Sequence, residues 1–95
     1  MAVILKPAQT GLTAIIEASD KAFVALCPEL DLGAEGDTAE AALEDLVHMA
    51  LDYSEQYAAE FERFSQSPNR GVHAPYIRAL RVDPTPAGAR RLFEA

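Results

Sequence analysis

The chain has 95 residues, 49% of them apolar and 24% charged, and a formal net charge of -7. That length supports one hydrophobic core and not two, and the composition is that of a folding chain, which excludes disordered and fibrous classes. The acidic balance disfavours non-specific contact with nucleic-acid phosphates and favours a basic partner.

The apolar stretches Ala14 to Ile16 and Ala22 to Cys27 fall well short of the roughly 20 residues a membrane helix needs. Met1 to Leu5 is a brief apolar run that gives way to Lys6 and Pro7, without the charged start and long apolar region of a signal peptide. No membrane association and a cytoplasmic location are therefore expected. Cys27 is the only cysteine, so no internal disulfide forms. It has no basic neighbour to activate it and reads as a buried small hydrophobe.

Leu12 to Ala18 alternates Thr13, Ile15 and Glu17 with Leu12, Ala14, Ile16 and Ala18, the period of a strand. Ser19-Asp20-Lys21 supplies turn chemistry, and Ala22 to Cys27 is the partner strand of a hairpin, apolar on both faces as in a central strand. Pro28 cannot donate to a ladder and ends it. Leu32 to Glu35 suits a short third strand closed by Gly36.

A long amphipathic helix then starts. Either Asp37 caps it in a box with Glu40, or Thr38 caps it with Glu40 favouring the positive end of the dipole. Leu43, Leu46, Val47, Ala50, Tyr57, Phe61 and Phe64 recur at steps of three and four or their sums, so the helix extends about 26 residues, roughly 39 Å. That outreaches the sheet beneath it. The distal aromatics Tyr53, Tyr57, Phe61 and Phe64 therefore need another surface, either a second copy in a homodimer or higher homo-oligomer, or a bound partner.

Ser65 to Ala74 is a loop by composition, and Tyr76 to Val82 is expected to be a final strand with Arg78 on one face and Arg81 on the other. Pro84-Thr85-Pro86 breaks it, after which Thr85 can cap a short helix with Pro86 at its first position. The expected fold is a two-layer α+β domain over residues 1–83, with an antiparallel sheet of about four strands in the order β-β-β-α-β and one long helix packed on it. Residues 84–95 form a short C-terminal tail or helix.

Pro28-Glu29-Leu30, Gly36-Asp37-Thr38 and the following Glu40, Ala41, Ala42 and Leu43 make a series that resembles the N-terminal domain of HicB-like antitoxins, over Leu12 to Leu51. The resemblance implies a partial ribonuclease H-like arrangement, a small sheet with one helix across it. It implies a protein that is not an enzyme and needs no cofactor, and that neutralises a small basic RNA-cleaving toxin of the HicA type by covering it. The charge gives an independent reason, since an acidic protein and a basic toxin attract and associate quickly.

Other constellations carry weaker chemistry. Glu29, Asp31, Glu35 and Asp37, with Glu17 across the hairpin, are hard-cation ligands by type, but alternate strand residues point to opposite faces, so solvated or capping roles are expected. His48 has Glu44 and Asp52 one helical turn to either side, which is a solvated face or a ligand row. His73 has only Ser65 and Ser67 nearby in sequence, and these belong to a linker, so neither a catalytic nor a metal site is expected. Arg78, Arg81, Arg90 and Arg91, interspersed with Tyr76 and Phe93, form the basic-aromatic pattern that suits nucleic acid, DNA included, so the alternative function is a nucleic-acid-binding regulator that uses this arginine-bearing C-terminal region. The alternative is that these arginines pair with the acidic helix or a second subunit.

Overall fold

The computed structural model describes residues 2–5 and 11–93. Strands β1 (Ala2–Leu5), β2 (Ala14–Ser19), β3 (Ala22–Cys27) and β4 (Leu32–Gly36) form one antiparallel sheet in the order β1-β2-β3-β4. The meander β2 to β4 is the one its alternation and turns predict. Ser19 pairs with Ala22 across a two-residue turn, with Asp20 at φ 21. Asp31, at φ 59, closes the turn from β3 to β4, in the left-handed region that aspartate tolerates better than most residues.

The helix that follows, α1 (Ala39–Ala59), lies over one face of this sheet. Ile16, Ala25 and Ala34 are paired in register across three strands and all buried, so two alanines of the row let the helix come close. Ala42, Leu43, Leu46, Val47 and Ala50 fill the other side of the same core. Thr38, not Asp37, makes the cap: its hydroxyl accepts from the Ala41 N–H at 3.0 Å. Gly36 is required just before it, because a Cβ there would lie 2.5 Å from the Ala42 nitrogen.

Three expectations are corrected. The helix does not continue through Phe64. It stops at Ala59, and Glu60, at φ -127 and ψ 45, redirects the chain into α2 (Phe61–Ser65). Ala58, Ala59 and Glu60 are all exposed, so the apolar stripe lapses for that turn and nothing holds the axis straight.

Secondly, no strand follows the helix among the described residues. Tyr76 to Val82 belongs to a third helix, α3 (Ala74–Val82), with Pro75 in its first turn. The mixed faces of a strand reading resolve at helical spacing, since Ile77 and Leu80 are buried while Arg78 and Arg81 are exposed. The additional strand is β1, whose four residues carry too little pattern to stand out and are placed by pairing with β2.

Thirdly, two of the distal aromatics, Tyr57 and Phe64, need no second chain to cover them. Tyr57 is 0% and Phe64 8% exposed within one protomer, because the chain after Glu60 folds back over them. Tyr57 donates to the Arg70 carbonyl at 2.9 Å, which anchors the 3-10 turn Gly71–His73 leading into α3. Tyr53 and Phe61 are partly buried against the same core. The burial argument for self-association is thereby removed.

The last helix, α4 (Pro86–Phe93), docks rather than frays. The Thr85 hydroxyl accepts from the Gly88 N–H at 3.1 Å, the Leu12 N–H donates to the Leu92 carbonyl at 2.7 Å, and Ala89 and Phe93 are fully buried.

Candidate functional site

Two local structures hold the motif residues in place. At the first, Glu29 accepts from both the N–H and the hydroxyl of Thr13 at the start of β2, while Leu30 beside it is 2% exposed in the core. Burial works to raise the Glu29 carboxyl, but the two bonds from Thr13 outweigh it and hold the group below the usual carboxylate range. The same burial, with the Glu29 charge adding to it, pushes the Cys27 thiol up to about 12, so it is a protonated core group. Pro28 is exposed at the corner. These residues build the turn and are not free for chemistry.

The second lies at the far end of the helix. Tyr53 Oη and His73 Nδ1 are 2.7 Å apart, and a ring protonated on Nε2 accepts there from the hydroxyl. Burial lowers the His73 pKa, with Asp31 opposing and Arg70 reinforcing the effect. Leu30, Asp31, Leu32, Tyr53, Arg70 and His73 line most of a cleft of about 380 Å3 between the β3–β4 turn and the 3-10 turn. Arg63 and Arg70 each stand 4.9 Å from the Phe64 ring centre, and Arg78 stands 5.6 Å from that of Phe61.

The structure separates the arginines that the sequence groups together. Arg90 pairs with Glu40 at 2.6 Å and Arg91 with Asp83 at 2.5 Å, while Arg78 covers Phe61 and Arg81 is exposed on α3. Arg63 and Arg70, which no sequence pattern singled out, join Arg78 on the aromatic end. Their adjacency to Phe64 and to the loop glycine was the available signal.

His48 is exposed beside Glu44 and Arg90, in the groove between α1 and α4. Asp31, Glu35, Asp37 and Glu17 are exposed. Among the described residues, no group of three His, Cys, Asp or Glu side chains is placed to hold a metal. No helix there is long and apolar enough to cross a membrane.

The remaining surface of note is the sheet face that α1 leaves uncovered. Ile15, Leu26 and Gly33 pair in one cross-strand row, with Leu26 40% exposed, and Glu17, Val24 and Glu35 pair in the next. A shallow cavity of about 350 Å3 opens on the apolar row, between Ile15, Leu26, Pro28 and Gly33. An apolar row bordered by carboxylates has the make-up of a surface that binds another surface.

A family model described as PHD-like, an antitoxin of RelE/RelB toxin–antitoxin systems, matches residues 2–86. A solved structure, the antitoxin part of a proposed toxin/antitoxin system from Syntrophomonas wolfei subsp. wolfei, superposes with a TM-score of 0.72 at 22% identity. The match covers 80% of this chain and 55% of that one, so this chain spans about half the length of its structural relative. At that identity the likeness is one of fold. No curated protein matches the sequence.

Proposed function

We propose, from the premise that the chain belongs to the PHD-like family of antitoxins of toxin–antitoxin systems, that it neutralises a small basic RNA-cleaving toxin of the HicA type by covering it. The resemblance of Leu12 to Leu51 to HicB-like antitoxins supports that choice of toxin. The observation that carries the reading is the uncovered sheet face, where Ile15 and Leu26 lie beside Glu17 and Glu35. An apolar row contributes burial and the carboxylate border selects a basic partner and speeds its approach.

Neutralisation here is steric and electrostatic. The antitoxin occupies the basic surface with which a toxin would grip RNA, and no step of chemistry is required of it. Expression of a short basic protein encoded beside this one should arrest growth, and co-expression of this chain should restore it and yield a complex that dissociates at raised salt. Arrest without rescue, together with no complex, would refute the reading.

A further inference from the structure

We infer that β4 is the docking edge for one extended strand of the basic partner, and that this strand sets an apolar side chain beside Gly33 and a lysine or arginine two residues away, beside Glu35. The existence of a basic partner rests on the antitoxin reading above. The place and pattern of contact come from the sheet.

β4 pairs with β3 along one side and packs under α1, and among the described residues no strand occupies its other side. Alternate N–H and C=O groups of β4 face that side, where no described strand pairs with them, although Leu32 at its start borders the cleft with Tyr53 and Arg70. Exposed edges are usually defended by lysine, proline or a bulge. Leu32–Gly36 contains no lysine or proline, and its register with β3 is unbroken from Phe23–Gly36 to Cys27–Leu32. An incoming strand would find regular main-chain partners.

Gly33 makes the edge selective. It lies directly across from Leu26 on the uncovered face, and even a Cβ there would come 3.1 Å from a Leu26 methyl. With only hydrogen at that position, a side chain from an added strand passes over Gly33 and reaches Leu26 and the cavity beside it. Side chains two apart share a face, so the next one on that face meets Glu35.

A second copy of this chain fits the edge poorly. Antiparallel pairing of β4 with itself about Ala34 would set Asp31 against Asp37 twice and bring both copies of Glu35 to the same seam. Like charges directly opposite destabilise a sheet pair. A basic strand meets the same seam with the opposite sign.

The test uses the full chain and a peptide probe, Thr-Lys-Thr-Val-Thr-Lys-Thr, with a counterpart carrying glutamate for lysine. At millimolar concentration the basic peptide should slow amide exchange within residues 32–36 and shift the Leu26 methyl resonances, and the acidic one should do neither. Glu35→Lys, an exposed substitution that leaves the core intact, should weaken the basic peptide by about tenfold. No protection of residues 32–36, equal binding of both peptides, or indifference to Glu35→Lys would overturn the assignment. A rescuing complex in which residues 32–36 stay unprotected overturns it too while leaving the antitoxin reading intact, whereas failure of rescue counts against that reading alone.

Discussion

The carboxylate of Glu29 grips Thr13, sixteen positions away in sequence, by its N–H at 3.0 Å and its hydroxyl at 2.5 Å. This fastens the turn after β3 to the start of β2 and spares a backbone donor from going unpaired. Glu29→Gln and Thr13→Val should each cost about 1–2 kcal/mol. The double variant should lose less than the sum, because both changes act on the one bond between the Thr13 hydroxyl and the Glu29 side chain. Urea unfolding of the four proteins measures this. Since the folded carboxyl lies below its free value of 4.5, its contribution is complete above that pH and is lost as the pH falls through the folded value.

His73 sets a second pH window. Burial beside Tyr53 holds its folded pKa below the free value of 6.5, so the unfolded chain takes up a proton before the folded chain does. Stability should be complete above 6.5 and decline as the pH falls below it, through the lowered folded value. His73→Asn should flatten that decline in thermal melts while leaving the slope at lower pH, which carboxylates such as Glu29 govern. An unchanged slope just below 6.5 would show that His73 does not contribute to it.

Gly36→Ala should destabilise more than Thr38→Ala, although both sit at the start of α1. The first forces a methyl group against main chain, 2.5 Å from the Ala42 nitrogen and 2.8 Å from the Ala41 carbonyl carbon, at a cost of about 1–3 kcal/mol. The second removes one cap bond worth about 1 kcal/mol. Denaturant midpoints at equal slope give the order directly.

Tyr57 distinguishes burial within a protomer from burial between protomers. Tyr57→Ala should cost about 3–5 kcal/mol through the cavity it opens, and Tyr57→Phe about 1 kcal/mol through the lost bond to the Arg70 carbonyl. Both losses should be the same at every protein concentration. A midpoint that rises with concentration in the parent and not in Tyr57→Ala would return this residue to a subunit interface.

The pattern of residues from Leu12 to Ala50 was nearly enough to read the fold. The hairpin, the stop at Pro28, the short third strand and the amphipathic start of α1 each follow from period and turn chemistry within a few residues. Beyond Phe61, Tyr76 to Val82 is ambiguous in sequence, because seven residues fit two periods and the choice depends on which side chains are covered. Arg90 and Arg91 likewise read as a basic pair, and only the folded chain places Glu40 and Asp83 against them.

By itself, then, the amino-acid order determined an acidic balance, a meander feeding a capped helix, and a cysteine with no basic neighbour, because these depend on composition or on neighbours within about a helical turn or a hairpin. Tertiary structure decided what covers Tyr57 and Phe64, which arginines are tied down, and which face of the sheet lies under α1. Those outcomes depend on where the chain after Glu60 returns, and that return is directed by contacts between residues far apart in sequence, such as Leu12 with Leu92 and Leu30 with the core.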